Sequence, residues 1–138
     1  MTDDDIRRIL TDVKRIGLAG ASANPARPSH GVGQFLAARG YVVHPINPGL
    51  AGQELFGQTV AGGLADLPDD VEMLDIFRRS DAVPALVEEA LKVMPSLRVV
   101  WMQLGVSSPE AVEMARATGV EVVVNRCPKI EIPRLGIA

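Results

Sequence analysis

The side chains in this sequence best suited to holding an anion are three arginines set among small residues and amide-bearing turns. Gly20-Ala21-Ser22 is followed by Asn24-Pro25 and then Arg27-Pro28-Ser29. Glycine and small residues let backbone N–H groups approach a phosphate, and a helix that follows aims the positive end of its dipole at the same point. Arg27 can add a bidentate grip, and Ser29 can cap the helix or donate to the phosphate. On spacing alone, a solvated Arg27 and a purely capping Ser29 are an equally good reading. Arg78-Arg79-Ser80 supplies two further guanidinium groups. Asn47-Pro48-Gly49, Gln103-Leu104-Gly105 and Asn125-Arg126-Cys127 supply amides, glycines and one thiol.

Catalytic chemistry is harder to assemble. His30 falls at the start of a helical stretch, as a cap-region or rim residue, and His44 lies inside a strand pattern, where histidine is more often structural. No nucleophile, base and orienting group come together. One cysteine and two histidines far apart in sequence make a poor zinc set.

These groups reach one place only if the intervening elements bring them there. Ile6, Ile9, Leu10 and Val13 follow the spacing of one helix face, with Asp3 to Asp5 in the first turn where the dipole favours acids. Ile16 to Ala19 reads as a short buried strand stopped by Gly20. Val32, Phe35 and Leu36 mark a second helix, closed by Gly40. Tyr41 to Ile46 is the next strand. Leu55 to Val60 reads as an edge strand and Leu64 to Leu67 as a helical turn. Val71 to Phe77 is a strand, and Val83, Leu86, Val87, Ala90, Leu91 and Met94 trace a helix face. Val99 to Met102 is a strand; Ser108-Pro109-Glu110 opens a helix that Gly119 ends; Val120 to Val124 is the last strand. Trp101 reads as core.

Strands alternating with helices imply right-handed βαβ units. The expected fold is α/β and Rossmann-like: a doubly wound, mostly parallel sheet in a three-layer αβα arrangement, one domain over residues 1–138. In 138 residues, 47% are hydrophobic and only 4% aromatic, the aliphatic filling of such a sheet. Each strand end then delivers a polar residue or a glycine to the same edge, where these sheets bind ligands. A net charge of −3 disfavours broad nucleic-acid binding. The acidic Thr2-Asp3-Asp4-Asp5 start, the single cysteine and the lack of a long apolar run give a soluble, cytoplasmic expectation.

The choice of nucleotide is constrained. The G-x-G-x-x-G fingerprint is absent at Gly17-Leu18-Ala19-Gly20-Ala21-Ser22, and His44-Pro45-Ile46-Asn47-Pro48 offers no carboxylate for a ribose hydroxyl. A dinucleotide cofactor such as NAD is disfavoured.

Several segments in order resemble a known family: Gly20-Ala21-Ser22, Arg27-Pro28-Ser29, Gly40-Tyr41, Pro45-Ile46-Asn47-Pro48, Ile76-Phe77-Arg78, Trp101-Met102-Gln103-Leu104-Gly105 and Asn125-Arg126-Cys127-Pro128-Lys129. Together they are similar to the small stand-alone CoA-binding proteins of bacteria and archaea, and to the N-terminal domain of the succinyl-CoA synthetase α subunit. The resemblance spans about Ile6 to Arg134. It implies coenzyme A laid across the strand ends, with Gly20, Ala21, Ser22, Pro25, Arg27 and Ser29 toward the phosphates. Pro45, Asn47 and Pro48 would flank the adenine or ribose. Ile76, Phe77 and Arg78 would line the opposite wall, and Gln103 would face the pantetheine arm. Neither histidine falls where the synthetase carries its phosphorylated one, in a second domain. The leading expectation is therefore non-catalytic binding of CoA or an acyl-CoA. The alternatives are the CoA-binding subunit of a split acyl-CoA ligase, and an NAD(H)-binding sensor. A homodimer or protein partner is compatible with either. Cys127, flanked by Arg126 and Lys129, admits a mixed disulfide with the CoA thiol; a buried, inert cysteine is the simpler reading.

Overall fold

A computed structural model describes residues 1–137. Helix α1 (Asp3–Asp12) opens on a capping box, in which the Thr2 hydroxyl accepts from the Asp5 N–H and the Asp5 carboxylate accepts from the Thr2 N–H. Strand β1 (Arg15–Ala19) leads to α2 (Pro28–Ala38) and β2 (Val42–Ile46). A small hairpin, β3 (Glu54–Leu55) and β4 (Gln58–Thr59), precedes β5 (Met73–Ile76). The chain then runs through α3 (Val83–Val93), β6 (Val99–Met102), α4 (Pro109–Ala117), β7 (Glu121–Val124) and α5 (Pro128–Arg134).

The main sheet is five-stranded and wholly parallel, in the order β2-β1-β5-β6-β7. Helices cover both faces. Ile6, Ile9 and Leu10 of α1, Val32 and Leu36 of α2 and Ile132 of α5 pack on one side with Leu18, Met73 and Trp101. Val83, Val87 and Ala90 of α3 and Ala111 and Ala115 of α4 pack on the other with Leu74, Val100 and Met102. Strands buried on both faces need near-continuous apolar runs, which is how β5 and β6 read. The expected three-layer Rossmann-like arrangement is the one observed. No helix among the described residues is long and apolar enough to cross a membrane.

Three local expectations need correction. Leu55 to Val60 is not an edge strand of the sheet. It forms the two-residue hairpin instead, turned by Phe56 and Gly57, both at positive φ, and only Ala61 bridges to Ile46 beside β2. Helix α2 begins at Pro28, so Arg27 holds the cap position and Ser29 lies inside the first turn and is not a cap.

The third correction is α5, which the sequence pattern did not disclose. It has only seven residues, two of them prolines, too short for a period and rich in a helix breaker. Tertiary contacts hold it. Buried Glu131 receives Arg126 Nη1 at 2.7 Å and Arg134 Nε at 2.7 Å, while Arg134 also reaches Asp3 of α1 at 2.8 Å. Hydrogen bonds from Arg134, and from Arg126 against the opposing cost of burial, keep the Glu131 carboxyl below its ordinary range. The Trp101 indole N–H donates to the Arg126 carbonyl at 2.8 Å and so pins the turn between β7 and α5.

His44 of β2 is buried, and its Nε2 has no hydrogen-bond partner. Burial, and then the charge of Arg15, lower its pKa below 6.5, with Asp70 opposing them. Between that lowered value and 6.5 the unfolded chain binds a proton the folded chain refuses. Stability contributed by His44 is therefore complete above about pH 6.5 and lost as pH falls. Denaturant midpoints at pH 7 and pH 5.5 for the wild type and His44→Leu should show a smaller acid-side loss in the variant. Equal losses in the two proteins would remove His44 from the acid response.

Candidate functional site

Chain direction sets the location. From β1 the chain crosses outward to β2, and it returns on the other side of β1 to build β5. The carboxyl ends of β1 and β5 therefore flank the point where strand order reverses, the place where open α/β sheets leave a crevice. Gly20 turns the chain there at φ 85°. It passes so close to β5 that a Cβ at this position would lie 2.1 Å from the Phe77 carbonyl oxygen. Both the backbone angle and the close approach require glycine.

Two connected clefts open at this edge. The larger, about 660 Å³, is walled by Gly20, Ala21, Ser22, Arg27, Pro28, Ser29 and Val32 from the β1–α2 side. The far wall holds Phe77, Arg78 and Arg79 after β5, Gln103, Leu104 and Val106 after β6, and Cys127 after β7. The smaller, about 320 Å³, runs on past Pro48 to Gly62, Gly63, Leu86 and Glu89. Gly20, Asn47 and Arg78 belong to both, so the two form one groove across the switch point.

The groove gathers most of the residues singled out from sequence: Gly20, Ala21, Ser22, Arg27, Ser29, Asn47, Pro48, Phe77, Arg78 and Gln103. Three others lie outside its lining. Pro25 is on the exposed outer part of the β1–α2 loop, Pro45 is buried within β2, and Ile76 is fully buried in the core beneath. Successive side chains alternate between the two faces of the sheet, so Ile76 enters the core beneath α3 and α4 while Phe77 turns to the α2 face, where it also lines the groove.

The loop between β1 and α2 is held from within. The Gly20 and Ala21 N–H groups donate to the Ile46 carbonyl at 3.2 and 3.3 Å, so these two amides are not the free donors the sequence suggested. Asn24 accepts from the Ala26 N–H at 3.0 Å, and the Ser22 hydroxyl accepts from the Asn24 N–H at 3.1 Å. Buried His30 places Nδ1 2.8 Å from the Ser22 carbonyl, which fixes the proton on that nitrogen, and its ring meets Phe56 edge-on at 5.7 Å. Asn47 ties the two loops together: Nδ2 donates to the Ala21 carbonyl at 2.8 Å and Oδ1 accepts from the Gly49 N–H at 2.8 Å. His30 and Asn47 thus shape the cradle; His30 lies behind it and not on its rim. What remains open to an anion in the first turn of α2 is the Ser29 N–H, since Pro28 has none and the His30 N–H donates to the Arg27 carbonyl at 3.1 Å, together with nearby arginines.

Those arginines differ from the five that the fold neutralises with close carboxylates. Arg8, Arg15, Arg98, Arg126 and Arg134 each sit on a carboxylate within 3 Å. Arg27 and Arg78 are exposed and make no ion pair among the described residues, and Arg79 has only the exposed Asp81 at 3.5 Å. Positive charge is left without an ion-pair partner on both sides of the groove.

One polar residue escaped the sequence reading. Asp75 on β5 is fully buried, and burial pushes its carboxyl well above 3.8. With the Gln103 amide turned nitrogen-inward, its NH2 donates to Asp75 Oδ1 at 2.9 Å and Oδ2 at 3.2 Å. The available signal was an acid in the middle of the apolar run Met73-Leu74-Asp75-Ile76. Cys127 is buried at the groove's inner wall and caps no helix amide with its side chain.

The sequence pattern of the family described as a CoA binding domain matches residues 14–133. The chain is 32% identical over 126 residues to the uncharacterized protein YneT of Bacillus subtilis (strain 168), covering 91% of this chain and 90% of that protein. A solved structure from Thermus thermophilus superposes with a TM-score of 0.92 at 37% identity, over 98% of this chain and 99% of that one. A dinucleotide-forming acetyl-coenzyme A synthetase from Ca. Korarchaeum cryptofilum shares the fold, with a TM-score of 0.66 at 23% identity over 83% of this chain and 26% of the larger one. Taken with the groove at the switch point, these matches establish that the chain belongs to the CoA-binding-domain family.

Proposed function

We propose that this chain binds coenzyme A or an acyl-CoA along the groove as a module without catalytic activity of its own. The observation that carries the reading is the pair of unpaired arginines, Arg27 and Arg78, standing on opposite sides of the switch point beside the uncapped first turn of α2. Coenzyme A carries a pyrophosphate and a 3′-phosphate, so it demands more than one positive centre. Each charge-assisted bond contributes roughly 1.5–3 kcal/mol, and a few suffice for micromolar affinity, about 8 kcal/mol, after ordering costs. The two joined clefts can take an extended ligand, with the nucleotide over the Gly20 turn and the smaller cleft and the arm toward Gln103 and Cys127. The reading without catalysis is supported by where the histidines sit: His30 lies behind the cradle and His44 is buried in β2, and neither lines the groove.

Thermal unfolding with CoA, dephospho-CoA, NAD and ATP side by side tests this. CoA at 100 times its Kd is expected to add about 2.7 kcal/mol, with a smaller effect from dephospho-CoA at equal concentration. Stabilisation by NAD with none by CoA would overturn the assignment.

A further inference from the structure

Asp75 is an expensive residue to keep. It stands on the central strand with Leu18 and Trp101 as its register partners, and it has no cation to compensate it among the described residues. A carboxyl in such a place weakens the fold relative to an aliphatic side chain of similar size, since burial disfavours its charged form and its oxygens need donors. Its one hydrogen-bond partner is Gln103, and Gln103 is a wall of the groove, 4% exposed.

The two facts fit together through the chemistry of an amide. A primary amide presents two donors on one side and an acceptor on the other, and an unheld glutamine can offer either. Here both carboxyl oxygens lie 2.9 and 3.2 Å from one end of the amide, and a carboxylate can only accept, so the end it holds is the nitrogen. The nitrogen is thereby fixed inward, and the carbonyl oxygen is the end left for the groove. We propose that Asp75 is a positioning residue for ligand recognition: by holding Gln103 nitrogen-inward it makes that wall an acceptor, which selects a ligand bearing an amide N–H at this point. Resting on the CoA reading above, the ligand group is one of the two secondary amides of the pantetheine arm; the nucleotide portion makes no use of this contact.

The test compares two ligands on four proteins. Coenzyme A and 3′-phosphoadenosine 5′-diphosphate, the same nucleotide without the arm, are titrated calorimetrically into the wild type, Asp75→Leu, Asp75→Asn and Gln103→Leu. Asp75→Leu and Gln103→Leu are each expected to weaken CoA about tenfold, the worth of one net hydrogen bond, and to leave the armless nucleotide within about twofold. Asp75→Asn, which keeps a carbonyl to accept from Gln103, should stay within about threefold of wild type for CoA. The double variant should bind no more weakly than Gln103→Leu alone, because Asp75 acts through Gln103. Equal losses for both ligands, or additive losses in the double variant, would overturn the proposal. A wild type that binds the armless nucleotide as tightly as CoA would overturn this contact while leaving the nucleotide site standing; a wild type that binds neither removes the CoA reading itself. A measurement on the ligand-free wild type guards against a variant that does not fold: the Gln103 side-chain NH2 should show slow hydrogen exchange in a 1H–15N spectrum. Exchange at the rate of a solvent-exposed glutamine would overturn the proposal without any variant.

Discussion

Replacing Arg78 by Ala is expected to weaken CoA binding ten- to a hundredfold, with ligand-free stability unchanged to within about 0.5 kcal/mol. The two halves of this expectation have separate causes. Arg78 is exposed, lies two residues past the end of β5 and has no carboxylate to lose, so the fold does not depend on it. It also borders both clefts, at the one place where the strand order reverses and the wall beside Gly20 turns. A phosphate there meets a guanidinium that has no internal partner to give up, and a charge-assisted, bidentate bond forms at little desolvation cost to the protein. Arg78→Lys keeps the charge but not the planar fork and should fall between Ala and wild type. Because the site is solvent-exposed, the gap between wild type and Arg78→Ala should narrow as ionic strength rises. Isothermal titration of the three proteins at low and high salt is the direct measurement. An unchanged Kd in Arg78→Ala would take this residue out of the site, and the same outcome for Arg27→Ala would leave the groove without its anchor.

The second large effect concerns the fold at the same spot. Gly20→Ala is expected to lose about 2–4 kcal/mol of unfolding free energy, a large part of the roughly 5–15 kcal/mol typical of a domain. Part of the loss is backbone strain, since φ at Gly20 is 85°. The larger part is steric. The added methyl would sit 2.1 Å from the Phe77 carbonyl oxygen, and backbone on the central strand pair cannot yield as a flexible side chain would. Relief requires parting the ends of β1 and β5, which also breaks the Phe77 N–H bond to the Ala19 carbonyl at 2.9 Å. Gly105→Ala is the matched control: its φ is 80°, yet nothing lies within 4 Å of the added carbon. It should lose only about 1 kcal/mol, the strain alone. Denaturant unfolding of the two variants decides the matter; equal losses would show that close approach at Gly20 does not matter.

Binding and stability converge on the switch point, and the means by which the chain builds it differ in how openly they are written. The fold was legible because its signals are local and redundant. The apolar faces Ile6, Ile9, Leu10 and Val83, Val87, Ala90 repeat at helical spacing, and each apolar run of four or five residues stops at a glycine or polar turn. Parallel pairing follows from the alternation of these elements, with no further information needed. The edge that carries the groove follows in turn, because the residues just past each strand can go nowhere else. Arg27, Arg78 and Gln103 were readable as candidates on that ground alone.

Which of the polar groups at that edge are free was not readable. Asn47 and His30 have the same chemistry as ligand donors, and only their distances to the Ala21 and Ser22 carbonyls show that they bind the chain to itself. The same holds for the Gly20 and Ala21 amides, taken by Ile46 from a neighbouring strand. Helix α5 lacks both length and propensity and exists because Glu131 finds Arg126 and Arg134, with Asp3 from the far end of the chain beyond them. The hairpin at Phe56-Gly57 packs beside β2 without joining the sheet's pairing for a similar reason: two-residue strands have no period, and the residues that decide their place are on other elements.

By itself, then, the order of apolar and polar residues determined the class of fold, the element order and the edge at which a ligand is met, because each depends on spacing along the chain. Tertiary structure alone decided which arginines stay unpaired, which amides are spent, and that Asp75 reaches Gln103. Those outcomes depend on distances between residues far apart in sequence, and hydrogen-bond energy falls off within a fraction of an ångström in space while no pattern in the sequence encodes it.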